Sequence, residues 1–454
     1  MPQISHISIK DIIRENRMDA EFHRNIFINP KLEYDYIWNL LKKNTQYWIS
    51  IDMNLEWKWY KIYRMNEIEN MFCNTEVEKY ADIEEQEMKK FKLNDRDVLF
   101  NRTNSFEFVW RTWLFREYSD DDMVFASYLV RVNPDENKIL PEYLTAFLNT
   151  KYWIFDVKRR AKISINQSNV SAEELKKVRI PIIDMGKQEI IKDLFDKAFF
   201  AKQKSKQLYQ EAEDILLREI WLKEHTISHT LTFSTTKKEI DNAWRYDADY
   251  FQPKYDELIE KIENYKWGWD YVENIFKHKK WYEPWAEAYT QDGKDFIRVS
   301  DFTKFWIDWT DKKISEKLYD ELKWDYQAKK WEILFTKDWT IWITYVLKED
   351  LKWIISSAFL RLNLKEEYEN QEKECLALIL NSIICKLQVE RFSWWALISH
   401  LKPSDFEKIK IPLINSWLQK EISDKIKESF KLRNESKQLL EQAKKMVEDE
   451  IEKE

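Results

Sequence analysis

Cysteine is scarce in this chain of 454 residues, and long apolar runs are missing. The three cysteines, Cys73, Cys375 and Cys385, include no CxxC pair, which argues against a disulfide framework and a cysteine zinc site. The most apolar run, from Cys375 to Cys385, is too short to span a bilayer and predicts a buried helix. The N-terminus lacks the basic start and apolar stretch of a secretion signal, so we expect a cytoplasmic protein without membrane partners.

A basic excess is also absent, because the net charge is -7, with 44% hydrophobic and 34% charged residues. Such a composition is typical of a globular protein of two or three domains. It carries no whole-chain signature of nucleic-acid binding. Any DNA-binding surface must therefore be local.

Glycine is the scarcest of the turn-forming residues: three glycines accompany 23 tryptophans, whereas glycine normally makes up about 7% of a chain. Trp339 follows Asp338 between two β-rich runs, Ile333–Phe335 and Ile341–Tyr345, where Asp-Gly is the preferred hairpin pair. Other tryptophans in loop-like contexts lie at Trp57–Trp59, Trp281–Trp285 and Trp394–Trp395. One alternative is a surface rich in base-stacking aromatic rings. We favour the hypothesis that the gene uses UGA for glycine, as some candidate-phylum bacteria do, and that these codons were translated as tryptophan.

The chain repeats itself at an offset of about 230 residues. Arg17–Phe22 matches Arg245–Tyr250, 228 residues further on. Glu174–Pro181 matches Asp405–Pro412 at an offset of 231. Two shorter matches are Ser205–Leu208 with Ser436–Leu439 and Leu148–Asn149 with Leu380–Asn381. Four matches in the same order at nearly constant spacing predict a tandem duplication.

Each copy joins a front part of short β-rich segments and helices to one long helix. Segments such as Asp97–Phe100 and Phe296–Val299 alternate with helical patterns, which predicts an α+β fold. Residues 1–183 and 229–413 are expected to be two α/β domains. Residues 184–228 and 414–454 are expected to be the long helices, which gives the chain a pseudo-two-fold internal repeat.

Apolar residues recur at helical spacing through both long segments. A helix of about 40 residues is about 60 Å long, which exceeds one compact core, so we expect the two to pair as an antiparallel coiled coil. Both stripes pause at equivalent polar positions, Lys202 with Ser205 and Arg433 with Ser436, and buried polar residues set register. The alternative is that each helix lies on its own domain. The residues expected to pair are Ile191, Leu194, Phe195, Leu208 and Ile215 in the first helix and Ile422, Ile426, Phe430, Leu439 and Met446 in the second.

Together these segments resemble the specificity subunits of type I restriction-modification systems, over essentially the whole chain. The resemblance is carried by Leu99–Ser105, Phe296–Asp301, Ile333–Asp338 and the Ile-Pro step that enters each helix. It implies two target recognition domains, residues 1–183 and 229–413, that alternate with two conserved helical regions. The family pattern has glycine where this chain has Trp110, Trp113, Trp339, Trp342, Trp394 and Trp395, which supports the recoding hypothesis.

The resemblance also implies what the protein does. It implies a non-catalytic subunit that reads a bipartite, asymmetric target on double-stranded DNA and recruits two methyltransferase subunits. Restriction subunits can join that complex, whose activities would be adenine-specific methylation and ATP-dependent cleavage. S-adenosylmethionine, ATP and Mg²⁺ would belong to the partners, and this chain is expected to hold no cofactor.

Polar loops and a basic cluster are the candidate DNA contacts. Arginine and lysine suit guanine, and asparagine and glutamine suit adenine, which favours the Asn101–Asn104 loop and Lys337, with which Arg102 aligns. Residues 151–179 hold eight basic and three acidic side chains, which suits phosphate contact. The alternative for each residue is a solvated turn or helix face. The candidates are Asn101, Arg102, Thr103, Asn104, Arg111, Lys158, Arg159, Arg160, Asn166, Gln167, Arg298, Ser300, Thr336, Lys337, Asp338, Thr340, Arg391 and His400.

Catalytic motifs are missing from the sequence. No Asn-Pro-Pro-Phe/Tyr methyltransferase motif occurs, and no P-loop appears even if every tryptophan is reread as glycine. His225 and His229 have a spacing that can bind metal, but no third ligand accompanies them, so no metal site is expected. Two other function classes stay open at this point: an enzyme with an unrecognised site, and a coiled-coil scaffold that binds proteins only.

The recoding hypothesis makes a prediction about the gene. The codons for the loop tryptophans, Trp339 and Trp342 among them, are expected to be UGA. Sequencing the genomic DNA reads them directly, and UGG at most of these positions would contradict the hypothesis.

Overall fold

The computed structural model describes residues 7–453 except residues 16, 20–21, 24–27, 48–52, 55–58, 66–67, 70, 74–76, 78, 120, 165–166, 224–228, 280–285, 306–309, 311 and 393–399. The chain divides into two compact units. Unit 1 comprises residues 1–203 and 432–454, and unit 2 comprises residues 204–431. The prediction of an α+β fold is confirmed in that helices and sheets are mixed along the chain. The described residues contain no helix that is both long enough and apolar enough to cross a membrane.

The elements up to the first long helix are short except for that helix. The helices are α1 (Ile9–Glu15), α2 (Glu85–Phe91), α3 (Pro141–Phe147), α4 (Lys151–Arg160), α5 (Ala172–Lys176) and α6 (Met185–Glu219). The strands are β1 (Glu33–Tyr36), β2 (Gln46–Tyr47), β3 (Met53–Asn54), β4 (Tyr60–Tyr63), β5 (Ile68–Glu69), β6 (Phe72–Cys73), β7 (Tyr80–Ala81), β8 (Val98–Asn101), β9 (Thr103–Asn104), β10 (Thr112–Leu114), β11 (Met123–Phe125), β12 (Leu129–Val132), β13 (Lys162–Ser164), β14 (Gln167–Asn169) and β15 (Arg179–Ile182).

The second part of the chain has the same character. Its helices are α7 (Lys237–Ala243), α8 (Pro253–Glu263), α9 (Val272–Ile275), α10 (Glu316–Tyr326), α11 (Lys373–Asn381), α12 (Ile383–Phe392), α13 (Pro403–Phe406) and α14 (Ser416–Glu452). Its strands are β16 (Trp269–Tyr271), β17 (Phe276–Lys279), β18 (Tyr289–Thr290), β19 (Lys294–Ile297), β20 (Lys313–Ile314), β21 (Ile333–Thr336), β22 (Thr344–Val346), β23 (Ile354–Ile355), β24 (Phe359–Leu364) and β25 (Lys410–Pro412). The apolar run from Cys375 to Cys385 is buried as predicted, but it is divided between α11 and α12 at Ser382.

Each unit is built around one fully buried strand. In unit 1, β8 pairs antiparallel with β10 on one side and β12 on the other. In unit 2, β21 lies in the same way between β22 and β24. Both strands are runs of apolar residues that end in one polar residue, Asn101 or Thr336, which is the pattern of a strand covered on both faces.

The duplication extends to individual side-chain bonds. The amide of Asn149 donates to the Thr112 carbonyl at 2.8 Å, and Asn381 donates to the Thr344 carbonyl at the same distance. The β1–β15 pairing of unit 1 recurs as the β16–β25 pairing of unit 2. Repeated contacts at these depths require that the two copies share backbone geometry as well as sequence.

One buried glutamine fixes each long helix to its unit. The Gln188 Oε1 atom accepts a hydrogen bond from the Leu140 amide at 2.9 Å, and its Nε2 atom donates to the Ile183 carbonyl at 3.0 Å. Gln419 repeats both bonds in unit 2, to the Glu372 amide and the Ile414 carbonyl. Because a buried amide must be satisfied, these bonds orient the first turn of each helix.

Within unit 1, the first part of α6 packs with the last part of α14. The predicted pairing residues Ile191, Leu194 and Phe195 belong to the same buried cluster as Leu440, Ala443, Val447 and Ile451, with Leu439 and Met446 at its edge. Lys187 near the start of α6 forms an ion pair with Glu450 near the end of α14, at 2.6 Å. The two helix segments therefore run antiparallel in this unit.

Within unit 2, the remaining parts of the two helices also run antiparallel. Ser205 is fully buried, and its hydroxyl lies 3.0 Å from that of Ser429, while Glu211 pairs with Lys425 at 2.6 Å. Ile422 and Ile426 are buried in the unit 2 core, and Phe430 and Ile215 pack against its edge, whereas Leu208 is half-buried. The polar pause at Ser205 is thus a buried contact, because a serine hydroxyl there can bond both the side chain and the backbone of its neighbour.

Tryptophan occupies backbone positions that normally belong to glycine. Among the described residues, the non-glycine positions with positive φ are Met71, Arg96, Trp221, Trp244, Trp331, Trp339 and Trp342. Tryptophan is only about one residue in twenty of the chain, so its share of these positions does not follow from composition. The expectation that Trp339 stands at a positive-φ turn is confirmed by its φ of 67°.

Two of these tryptophans end helices. Leu222 donates to the Leu217 carbonyl and Trp221 to the Arg218 carbonyl, which is the Schellman arrangement that places glycine at the position of Trp221. Trp244 has a φ of 52° after the last turn of α7, and it is 85% exposed. A fully conventional helix end would have glycine at both positions, because a side chain there crowds the backbone.

Trp113 does not follow the same pattern, and the expectation of glycine there is wrong. It lies inside β10, opposite Leu99, without positive φ. Its side chain is fully buried in a cluster with Tyr63 and Phe125. The corresponding residue of the second copy is Tyr345, which is also aromatic. Trp394 and Trp395 lie outside the described residues.

The positive-φ positions predict a stabilising substitution. Trp244→Gly and Trp339→Gly are each expected to raise the free energy of unfolding by about 1 kcal/mol. Left-handed backbone costs a non-glycine residue about 1–3 kcal/mol, and the opposing entropy of glycine is about 0.5–1 kcal/mol. Urea unfolding of the purified variants measures the change.

Trp153→Gly is the matched control, because Trp153 is fully buried and its loss should cost about 3–5 kcal/mol. The interpretation fails if the two exposed positions behave like Trp153.

Candidate DNA interface

The loop that follows β8 in unit 1 is held from both sides by backbone bonds. The Arg102 amide donates to the Tyr128 carbonyl at 3.0 Å, and the Arg102 carbonyl accepts from the Val170 amide at 2.9 Å. Strand β9 then pairs with β14, which places Thr103 opposite Asn169 and Asn104 opposite Ser168. The loop is therefore a short third strand on the β13–β14 hairpin, a rigid base for polar side chains.

Two predicted base-reading residues are enclosed instead. Asn101 is fully buried, and its Oδ1 atom accepts from the Thr103 amide at 3.4 Å. Thr336 in unit 2 is also fully buried, and its hydroxyl donates to the Thr340 carbonyl and accepts from the Ile343 amide. A side chain without exposed surface cannot touch a base, so we correct both to residues that hold their loops in shape.

The accessible rim of the unit 1 loop combines cations with aromatic rings. The Lys158 ammonium lies 5.3 Å from the Phe106 ring centre, and the Arg111 guanidinium lies 4.1 Å from that of Phe108. Phe106 is exposed, as is Gln167 on the neighbouring hairpin. This rim can present cations to phosphate and a ring and an amide to bases. Arg102, Thr103 and Asn104 are half-buried beside it, and Asn166 lies outside the described residues.

Arg159 and Arg160 are structural rather than free for phosphate. Arg160 bonds Asp156 and Glu174, each at 3.1 Å, and Arg159 bonds Asp156 at 2.6 Å. Both guanidinium groups stack on the Phe22 ring, 4.7 and 5.6 Å from its centre. The expectation of phosphate contact from these two arginines is wrong in this structure, because carboxylates and an aromatic ring already occupy them.

The repeated Arg-x-Asp motif near the start of each copy explains this arrangement. The Arg17 side chain bonds Asp19 and the Arg160 carbonyl, and Asp19 accepts from the Phe22 amide. The hydrogen bond from Arg17 lowers the pKa of Asp19 below its usual value, so the carboxylate stays charged. The motif therefore anchors the N-terminal segment on α4.

Unit 2 builds the same anchor, which removes another predicted DNA contact. Arg245 bonds Asp247 at 2.6 Å, and the Tyr250 ring receives both Arg245 and Arg391. Arg391 also pairs with Asp256 at 2.7 Å. It is the counterpart of Arg160, and we correct it to a structural role.

The loop after β21 of unit 2 repeats the backbone frame with different side chains. The Lys337 amide donates to the Ala358 carbonyl, and its carbonyl accepts from the Leu401 amide, both at 2.8 Å. Asp338 then bridges to His400, and its carboxylate contacts the imidazole of His400 and the Lys337 ammonium. His400 and Thr340 are exposed, whereas Lys337 and Asp338 are half-buried.

Arg298 and Ser300 lie on a separate turn of unit 2. The Arg298 guanidinium and the Ser300 hydroxyl both bond Asp301 at 3.1 Å. Asp301 is buried, so these bonds neutralise a carboxylate inside the turn. The structure thus gives Arg298 a local partner, although about one third of its side chain is exposed.

Sequence reasoning missed Phe106, Phe108, Lys162 and Asn169, which the structure places at or beside the unit 1 loop. A signal for Asn169 existed. His400 was selected, and the repeat offset of 231 residues leads from it to Asn169. The aromatic rings carried no comparable signal, because the second copy has Trp339 and Ile341 in that loop.

The described residues offer little catalytic chemistry. They contain no group of three or more His, Cys, Asp or Glu side chains placed to hold a metal ion. His229 lies 3.6 Å from Asp249, and His225 lies outside the described residues. Burial raises the pKa of both Cys375 and Cys385, which keeps them as thiols rather than reactive thiolates.

Comparison with known proteins gives structural similarity without a sequence relative. The chain is similar to the S subunit of a type I restriction-modification system from M. genitalium, with 11% identity, a TM-score of 0.42 and coverage of 93% of this chain and 96% of that one. It is also similar to the HsdS subunit from Thermoanaerobacter tengcongensis, with 11% identity, a TM-score of 0.28 and coverage of 93% and 97%. A third similar chain, from a structure on complex assembly and conformational transition of the type I R-M system, has 12% identity, a TM-score of 0.29 and coverage of 93% and 98%.

No protein-family model matches the chain. No curated protein matches it either.

The two kinds of basic residue on α4 predict opposite phenotypes. Lys158→Ala is expected to weaken duplex binding about equally for all sequences and to reduce the slope of log affinity against log salt by about one, since one phosphate contact is lost. Arg160→Ala is expected to lower the free energy of unfolding by about 3 kcal/mol, because it leaves buried Asp156 without a partner. Fluorescence anisotropy over a salt series and urea unfolding separate the two.

Lys323→Ala provides the control, since Lys323 also lies beside an aromatic ring, that of Trp324, but on α10. An unchanged salt slope in Lys158→Ala, or the same reduction in Lys323→Ala, would rule out Lys158 as a phosphate contact.

Proposed function

We propose that this chain is the specificity subunit of a type I restriction-modification complex. Its two units would read the two halves of an asymmetric DNA target. The observation that carries the proposal is the duplicated loop frame. Arg102 and Lys337 have matching backbone bonds on both sides, while the side chains on the two loops differ. A shared frame with different polar groups is what two half-sites of different sequence require.

The helices support the second part of the proposal, a spacer of fixed length. In each unit, segments of α6 and α14 run antiparallel, joined by Lys187–Glu450 in one and by Glu211–Lys425 in the other. We propose that the two helices form one antiparallel coiled coil. Half-sites read from one face of B-DNA would then lie about 34 Å, or about 10 bp, apart from centre to centre.

The partners follow from the same proposal. Two methyltransferase subunits would dock on the helical regions, and restriction subunits would join that complex. S-adenosylmethionine, ATP and Mg²⁺ would be bound by those subunits, and this chain would contribute no catalytic residue. Methyltransferase subunits that clasp the same duplex would add phosphate contacts, which a chain of net charge -7 needs. Such a complex would work in the cytoplasm.

Selection from a randomised duplex library tests the function. The full chain is incubated with the library at moderate salt, and bound DNA is sequenced after several rounds. The proposal expects one enriched motif of two different half-sites separated by an unspecified gap. Binding without sequence preference, with or without methyltransferase subunits, would favour a protein scaffold. Modification or cleavage of DNA by the isolated chain would favour an enzyme.

The spacer proposal has its own prediction. Insertion of seven residues into α6 and seven into α14 lengthens each helix by about 10 Å. The unspecified gap should widen by about 3 bp, at 3.4 Å per base pair, while both half-sites stay the same. Library selection with the lengthened chain measures both quantities, and an altered half-site sequence would contradict a purely spacing role.

A further inference from the structure

The two units differ chemically at one equivalent position beside the candidate interface. The residue after Arg102 is Thr103, and it pairs across the strands with Asn169. The residue after Lys337 is Asp338, and it bridges to His400. In each case the next residue, Val170 or Leu401, bonds back to the loop carbonyl. The cross-strand pairs therefore occupy the same register.

In unit 1 this pair is neutral. The Asn169 Nδ2 atom donates to the Thr103 hydroxyl at 2.8 Å, and both side chains are half-buried. This bond uses one of the two amide hydrogens of Asn169. The other hydrogen and the amide oxygen lie on one planar group whose orientation Thr103 fixes. A fixed amide with one donor and one acceptor is the group that reads adenine through N6 and N7.

In unit 2 the pair is charged and has different valence. The His400 Nδ1 atom faces the Asp338 carboxylate, which also bonds the Lys337 ammonium at 2.6 Å. His400 is exposed, with 55% of its side chain accessible. Because Nδ1 is occupied by the carboxylate, one ring nitrogen remains. A single nitrogen cannot make the paired donor and acceptor contact that adenine offers.

We infer that Asn169, held by Thr103, is the adenine-reading residue of unit 1, and that His400, held by Asp338, withholds this preference from unit 2 at the same register. The inference rests on the proposed function and adds to it the residue pair that makes the half-sites differ. Asn169 is the specificity-determining side chain, and Thr103 is its positioning residue.

Exchange of the pairs tests the inference. Library selection is run on the full chain with the double substitution T103D/N169H and, separately, with D338T/H400N. The first variant is expected to lose its preference for adenine at one position of one half-site by about tenfold. The second is expected to gain such a preference in the other half-site. The remaining positions of both half-sites should not change.

A conservative variant keeps the test meaningful if a double substitution unfolds. Asn169→Asp preserves the side-chain shape, and the Thr103 hydroxyl can donate to the new carboxylate. Adenine should be lost here as well, with cytosine favoured because a carboxylate accepts from its N4 amine. Thermal unfolding establishes that each variant is folded.

The matched control is H278N/E407T, which alters another histidine–carboxylate pair, at 2.8 Å, away from the loop. It should leave both half-sites intact. The inference is overturned if the wild-type chain selects a bipartite motif and folded N169D retains adenine at every position. If the wild-type chain selects no motif at all, the proposed function itself is wrong.

Discussion

The bond pattern of one buried glutamine governs how each long helix leaves its domain. Gln188 satisfies an amide at the start of α3 and a carbonyl before α6, and Gln419 does the same before α14. A buried amide that is tied at both ends leaves the helix axis little freedom, since breaking either bond exposes an unsatisfied group at a cost of about 1–3 kcal/mol. The direction of the helix therefore depends on the domain core. A spacer that measures distance along DNA requires such coupling, because a flexible joint would blur the gap.

Within each unit, charges are used for structure more than for surface potential. Arg131 pairs with buried Asp97 at 3.0 Å, and Arg361 pairs with buried Glu332 at 2.5 Å on the equivalent strand. Burial raises the pKa of Glu332, but hydrogen bonds from Arg361 and the backbone outweigh that effect and leave the pKa below its usual value. The abundance of basic residues in a segment thus says little about DNA contact. Only cations that keep an accessible head, such as Lys158, remain candidates.

The sequence was informative where a pattern is local or repeated. The duplication followed from short matches at constant offset, and the long helices, predicted at 184–228 and 414–454, are observed at Met185–Glu219 and Ser416–Glu452. A turn that needs positive φ was predicted at Trp339, because Asp-Gly geometry is a local property. The structure adds Trp221, Trp244 and Trp331 to the same class. These positions share a physical cause, which is the clash of a Cβ atom with left-handed backbone.

Burial of polar side chains was not predictable, because it depends on distant partners. Arg160 is neutralised by Glu174 and stacks on Phe22, 138 residues earlier in the chain. Asn101 and Thr336 end apolar strands and resemble exposed loop residues in sequence, yet the neighbouring strands enclose them. The residues that stayed accessible were found partly through the repeat, as with His400, whose alignment also leads to Asn169. A side chain's neighbours across strands decide whether it reads DNA or holds a loop.

The claim on which the account depends is that this one chain gives a methyltransferase complex a two-part target. Sequencing of modified bases in DNA from cells that carry the chain with its methyltransferase subunits tests it most directly. The account predicts a single modified motif with two different half-sites and a fixed gap, lost when the gene for this chain is deleted. A contiguous motif, or modification that persists without the chain, would contradict it.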